Sequence, residues 1–225
     1  EYELPPLHVH QHTVELEHND AHGLFAMEAQ TLSERRDARR ASLVERVREC
    51  ARIVNADEQP WVVWCDLNAE GDALTAAIDG AVQISGADDP DVKERRLHDF
   101  AAGRIRVLVS KPSICGFGLN WQHASRMAFV GVTDSFESYY QAVRREWRFG
   151  QTKPVHVHVF ASNLEGAVVA NLKRKERDAL AMAEAMAAET IQAVRSEIFG
   201  FSKDTNIYQP ARAIAVPAFL SREAA

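Results

Sequence analysis

The run QAVRREWRFGQ, residues 141–151, sets three arginines and a tryptophan in a helical-looking stretch that stops at Gly150. At helical spacing Gln141, Arg145 and Arg148 fall at i, i+4 and i+7 and share one face, while Tyr140, Val143 and Trp147 share another. The spacing predicts a single helix over 135–149, with one packed stripe and one stripe presenting two guanidinium groups. By itself an arginine stripe is commonly a solvated helix surface. A second feature lies upstream, GFGLN at 116–120, whose glycines allow close backbone approach and whose amides can face an anion. A Gly-x-Gly alone is more often a plain turn, so the weight of both features depends on what positions them.

The positioning elements follow from hydrophobic pattern. PWVVWCDL (60–67), AVQISG (81–86), RVLVS (106–110), RMAFVGV (126–132) and VHVHVF (155–160) are short apolar strands. Between them lie amphipathic helices: SERRDARRASLVERVRECARIV, EGDALTAAI, and DPDVKERRLHDFAAG with Asp89, Pro90 and Asp91 at its start and Gly103 past its end. Strands alternating with helices predict right-handed βαβ units, hence an α/β domain with a parallel sheet and helices on both faces. Ligands of such sheets gather at the carboxyl ends of the strands, which selects the loop after RVLVS and the helix after RMAFVGV. The opening LPPLHVHQHTVELE alternates apolar and polar residues, as an edge strand or an extended linker does, and a short amphipathic stretch begins near Ala21. After residue 163 a run free of glycine and proline predicts one long helix or two abutting ones, and the proline-bearing end has no clear period.

Composition narrows the function classes. The chain has 225 residues, 46% hydrophobic, enough for one large domain with a buried core, and a formal net charge of −6, so any nucleic-acid contact must come from a local patch. No apolar run is long enough to span a bilayer and no signal peptide is legible, which predicts a cytoplasmic or nucleoid-associated protein. Cys50, Cys65 and Cys115 are odd in number and widely spaced, as reduced thiols are, with Cys65 and Cys115 expected to be buried. His8, His10 and His12 alternate on one strand face without an acid or cysteine spaced to complete a metal site, and His156 and His158 read as structural. Asp66, Asp88 and Asp89 do not form an acid pair for hydrolysis. The run KRKER (173–177) reads as the solvated face of the long helix, with an extension of a nucleic-acid track as the alternative. The chain begins with Glu rather than Met, as a piece of a longer protein would.

Taken in order, the strand and SG, the helix ending FAAGRIRVLVS, then GFGLN, then SFESYYQAVRREWRFGQTKPVHVHVF resemble the second RecA-like lobe of helicase superfamily two, most closely its Swi/Snf-type branch. The resemblance covers about residues 60 to 175. Its most specific element is a motif of the form QAxGRxxRxGQ, met by Gln141, Ala142, Arg145, Arg148, Gly150 and Gln151; GFGLN resembles the motif before it. Arg144 stands where the family usually has Gly, and KPSIC replaces its common Ser/Thr-Arg-Ala-Gly. The opening LPPLHVHQHTVEL is similar to the linker leading into that lobe.

Together with the pattern of the chain after residue 163, the resemblance divides the sequence into an extended linker (1–20), a RecA-like lobe (21–163), a long helical extension (164–200) and an irregular tail (201–225). It implies that Arg145 and Arg148 act as arginine fingers on ATP, with Gln141 beside them hydrogen-bonding the nucleotide or the nucleophilic water, and that Gly116, Gly118 and Asn120 border the nucleotide. Ser85, Gly86, Lys111 and Ser113 match positions that contact a DNA backbone. No GxxxxGK followed by Ser or Thr and no DExx box occur, so ATP and Mg2+ would be held mainly by an N-terminal lobe lying outside this chain. The implied partners are that lobe and DNA, double-stranded and read without sequence preference, with no membrane. The alternative is a RecA-like lobe without catalysis that serves as a protein or nucleic-acid docking module. A third reading, a nucleotide-binding transferase, is disfavoured by the lack of GxGxxG after the first strand.

Overall fold

The computed structural model describes residues 4–15, 37, 39–115, 120–131, 135–163 and a few positions between 170 and 182. Its centre is six strands: β1 (Leu7–Val14), β2 (Trp61–Trp64), β3 (Ala81–Ile84), β4 (Val107–Ser110), β5 (Arg126–Phe129) and β6 (Val155–Ser162). They form one sheet in the order β1-β6-β5-β2-β4-β3, and every pairing is parallel. Parallel strands need crossovers, and the helices supply them: α1 (Leu43–Asn55), α2 (Asn68–Ala77), α3 (Pro90–Ala101), the short α4 (Pro112–Cys115) and α5 (Phe136–Val143). This is the α/β arrangement that the alternating pattern predicts and the RecA-like one that the resemblance implies.

Because helices cover both faces, successive strand residues enter two separate cores. Trp61, Val63, Val107, Val109 and Ala128 pack with Val47, Cys50 and Val54 of α1 and Leu74 of α2. Val62, Trp64, Leu108, Met127 and Phe129 pack on the other face with Phe100 of α3, Cys115 of α4 and Tyr139 and Val143 of α5. Fully burying one such aliphatic side chain is worth about 1.5–3 kcal/mol, so two continuous cores fix the sheet from both sides. The cysteines are buried and free, and burial pushes the thiols of Cys50, Cys65 and Cys115 up.

Helix ends follow local chemistry. The Asp89 side chain accepts the Asp91 amide at 2.9 Å, Pro90 opens α3, and Gly103 adopts φ +73 just past its end. Ser135 caps α5, accepting from the Ser138 amide at 3.3 Å. Of the two readings of the opening segment, residues 7–14 take the strand: β1 pairs with β6 from Leu7↔Val155 to Val14↔Ser162.

One element departs from the predicted pattern. The helix expected over 135–149 ends at Val143, and residues 144–150 form consecutive turns. The Arg145 amide bonds the Ala142 carbonyl and the Glu146 amide the Val143 carbonyl, both at 3.2 Å, tightening the chain to three-residue turns. The carbonyls that a continuing helix would use are taken elsewhere. The Arg145 carbonyl accepts the Trp121 amide at 3.1 Å, and the Glu146 carbonyl accepts the Gln151 side chain at 3.2 Å. The packed stripe shifts as well: Tyr139, Ala142 and Val143 are buried, whereas Tyr140 is 39% exposed.

The described fold lies within a compact unit, Glu1–Asp178; in a second unit, Ala179–Ala225, the described residues are Ala181 and Met182, both helical. Most of the long helix expected after residue 163, the stretch from Ala21 and the irregular end lie outside the described residues. Within KRKER, Arg174 and Arg177 are exposed, and Arg174 pairs with Asp178 one turn on at 3.5 Å. Among the described residues no helix is long and apolar enough to cross a membrane.

Candidate nucleotide and nucleic-acid edge

All six strands run the same way, so the loops bearing the candidate residues emerge at one edge of the sheet. Two of them are laced together there. The Trp121 amide donates to the Arg145 carbonyl, Gln122 Nε2 donates to the Phe149 carbonyl at 2.7 Å, and Gln151 Nε2 donates to the Ala124 carbonyl at 2.8 Å. Arg148 Nη1 donates to Asn120 Oδ1. The segment 120–124 and the turn 144–151 therefore act as one unit. Gly150, at φ +94, lets the chain reverse out of it, in a backbone region that a side chain strains.

Within that unit the arginines differ. Arg145 is buried (6% exposed), and its pKa is lowered by burial and by the like charge of Arg148. Arg148 is partly exposed and rests on a neutral amide; among the described residues it makes no ion pair with a carboxylate. Gln141 is exposed on α5. Because α5 stops at Val143, the common helical face predicted for Gln141, Arg145 and Arg148 is not formed, and the turn sends Arg145 inward while Arg148 stays near solvent. Arg144, in the place of the usual glycine, lies over the Tyr140 and Trp147 rings at 5.8 and 5.6 Å. Gly116 and Gly118 lie outside the described residues; Asn120 is exposed and meets Arg148.

The second group of candidates sits after β3 and β4. The Ser85 amide donates to Asp88 Oδ2 at 2.8 Å, and Lys93 Nζ donates to the Gly86 carbonyl at 2.8 Å. The Ser85 amide, with Arg96 nearby, holds the Asp88 carboxyl below its usual range. An atom added at Gly86 would meet Ile114 at 4.0 Å, so the Gly86 loop lies against α4, which follows Lys111 and contains Ser113. Ser85, Gly86, Lys111 and Ser113 thus fall on two adjacent loops. Ser113 and Gly86 are exposed; Ser85 and Lys111 are partly covered.

Two features of this edge escape residue spacing. Arg46 and Glu70 form an ion pair at 2.9 Å, with side chains 1% and 0% exposed. Glu70 Oε2 accepts the Asp66 and Leu67 amides at 2.9 and 3.0 Å, which starts α2, and Arg39 pairs with Asp66 at 2.6 Å. A Cβ on Gly131 would lie 2.4 Å from Glu70 Oε2, so the loop after β5 can approach only as glycine. The partial signal in the sequence is Glu70 three residues after Leu67, the reach of a capping carboxylate. The other feature is Glu146, wholly buried, with neither carboxylate oxygen hydrogen-bonded among the described residues; burial raises its pKa well above the usual value.

Comparison with known proteins agrees with this geometry. The family model described as helicase conserved C-terminal domain matches residues 55–150. Among solved structures the chain is similar to the C-terminal part of the Fun30 ATPase domain, at 15% identity and a TM-score of 0.51, covering 58% of this chain and 44% of that one. The match thus spans less than half the length of that structure. No curated protein matches the chain. Residues 55–150 are thus similar to a helicase conserved C-terminal domain, and the parallel six-stranded sheet around them shares its fold with the Fun30 segment.

Proposed function

We propose that this lobe is the second motor half of an ATP-dependent, Swi/Snf-like translocase of double-stranded DNA. Its partner is an N-terminal RecA-like lobe that supplies the phosphate cradle and the magnesium ligands. The observation that carries the reading is the pair Arg145 and Arg148 on one turn, with like charges close enough to oppose each other and Arg148 engaged by an amide instead of a carboxylate. Such a pair favours a polyanion, and a guanidinium keeps its charge and planar fork where lysine would not. Bound with magnesium, ATP supplies the phosphoryl group whose transfer powers the motor.

In this reading Arg148 swings from Asn120 toward the γ-phosphate as the lobes close, and Arg145 follows once the turn opens. Their charge then stabilises the phosphoryl oxygens, an effect worth about 10³–10⁵ in kcat for arginine fingers. Gln141 and Asn120, with Gly116 and Gly118, border the nucleotide. Ser85, Gly86, Lys111 and Ser113 meet phosphates of the DNA backbone, which gives salt-dependent binding without base reading.

The test is ATP turnover by the two-lobe parent with no DNA, single-stranded DNA and duplex DNA, in the wild type and in Lys111→Ala. Stimulation by duplex that weakens in the variant supports the reading. Turnover indifferent to DNA would remove the translocase assignment, and no turnover by the intact parent would favour a docking module.

A further inference from the structure

The joint between β1 and β6 is built from histidines. In register His8 faces His156, His10 faces His158 and His12 faces Phe160, and alternation puts all six rings on one face of the sheet. The rings interleave as one stack: His10 and His156 have centroids 5.3 Å apart and planes 5° from parallel, His12 and His158 5.1 Å and 5°. Phe160 closes one end at 4.6 Å from His12, and Trp61 leans on His158 at 5.1 Å. Two hydrogen bonds cross the stack, each of 3.0 Å: between His10 Nε2 and His156 Nδ1, and between His12 Nε2 and His158 Nδ1.

Each bond needs one nitrogen with its proton and one without. A first proton per pair leaves an acceptor. A second makes both nitrogens donors at 3.0 Å, with two cations stacked. Among the described residues no group of three His, Cys, Asp or Glu is arranged to hold a metal ion, so the ligand this stack can exchange is the proton. We propose that the ladder is a proton-operated clasp that holds the edge strand β1 on β6 at neutral pH and releases it on acidification.

Burial and the neighbouring cations oppose added charge. Glu45, Arg48 and Glu49 of α1 line the groove at His12, with Glu15 just past β1; the Glu49 carboxylate favours a charged His12, but it is already engaged by Arg52 at 2.7 and 2.8 Å. Arg126 of β5 opposes protonation of His156 and His158, and Asp57, the one acid acting on His156, pairs with Arg126 at 3.2 Å. Burial comes first among the causes that lower His12, His156 and His158, the last to about 3, with neighbouring histidines adding to it. These folded-state values lie below the 6.5 of a free histidine, so the released strand binds more protons. The clasp is therefore at full strength above about pH 6.5 and weakens as pH falls toward the lowered values.

Release has a mechanical consequence. Trp147 Nε1 donates to the Pro5 carbonyl at 2.8 Å, and the Val155 amide donates to the Pro6 carbonyl at 2.9 Å. The strand that the ladder clasps is thus pinned at its start to the turn carrying Arg145 and Arg148. Unclasping β1 frees Trp147 and loosens that turn, whatever ligand the arginines serve.

Amide hydrogen exchange on the full chain, at about pH 5 and about pH 8, tests this within the pH range where histidine switches. After correction for intrinsic rates, protection of β1 and of the Trp147 indole N–H falls at least tenfold at the lower pH relative to β4, about the size of one pKa unit of linkage. In a variant with His10→Gln, His12→Gln, His156→Asn and His158→Asn, whose amides keep the nitrogen positions without titrating, the ratio of β1 to β4 becomes independent of pH. If that variant does not fold, ring NMR titration of the wild type decides, since the ladder rings must protonate with the same midpoint at which β1 loses protection. Equal protection of β1 and β4 at both pH values, or ladder rings that titrate while β1 stays protected, would overturn the clasp.

Discussion

Arginine occurs in two kinds of setting on this sheet's carboxyl edge. Arg46 and Arg39 lie beneath it in a closed network: Arg46 meets Glu70, the Ser42 hydroxyl at 2.9 Å and the Arg39 carbonyl at 2.5 Å, and Arg39 meets Asp66. Across the edge, Arg148 leans on the Asn120 amide, burial and then Arg148's charge lower the pKa of Arg145, and burial raises that of Glu146 between them. The first region neutralises its arginines and spends them on holding α1, α2 and the Gly131 loop together. The second keeps the charge of Arg148 near the surface of a rigid frame. A buried arginine pairs because an unpaired charge is ruinous in low dielectric; a charge left without a carboxylate at a strand end is available to an anion from outside.

Substitutions can break or sharpen this contrast, and the network side is the more damaging to stability. Glu70→Ala strands the buried Arg46 and should cost about 3–5 kcal/mol in urea unfolding, the range for breaking a buried pair from one side. Gly131→Ala drives a Cβ against Glu70 Oε2 and should cost about 1–3 kcal/mol by overpacking; an unchanged midpoint would show that the loop yields instead. Trp147→Phe removes the bond to the Pro5 carbonyl, a loss of about 1 kcal/mol, read best as faster exchange at the start of β1. Arg148→Ala should move the unfolding midpoint least, within about 0.5 kcal/mol. A larger loss there would make Arg148 structural and erase the contrast.

What was legible in the sequence was whatever repeats along it. Apolar runs such as VVW and VLVS mark strands, and Asp89-Pro90 and Gly103 mark the limits of a helix, because burial on two faces and capping act locally. The arginine motif was legible as residue types, but its geometry was not. Helical spacing extends α5 through Arg148, whereas a backbone bond from Trp121, distant in sequence, and a side-chain bond from Gln151 take the carbonyls of Arg145 and Glu146, and the helix ends at Val143. The Arg46–Glu70 pair joins α1 to α2, and the histidine ladder joins residues 146 positions apart, so neither has a local period. Alternation of His8, His10 and His12 was visible from the start; that His156 and His158 interleave with them depends on the register of a parallel pairing that spacing does not encode.

The central claim is that the charge on the turn 144–151 serves a phosphoryl group rather than the fold. It is tested most directly by DNA-stimulated ATP turnover of the two-lobe parent with Arg148→Ala and Arg148→Lys, beside their unfolding midpoints. The account predicts a loss of about 10³-fold or more in kcat for alanine, only partly recovered by lysine, with nucleotide binding largely kept and stability unchanged. Turnover equal to wild type in both variants would contradict it and leave the lobe as a docking module.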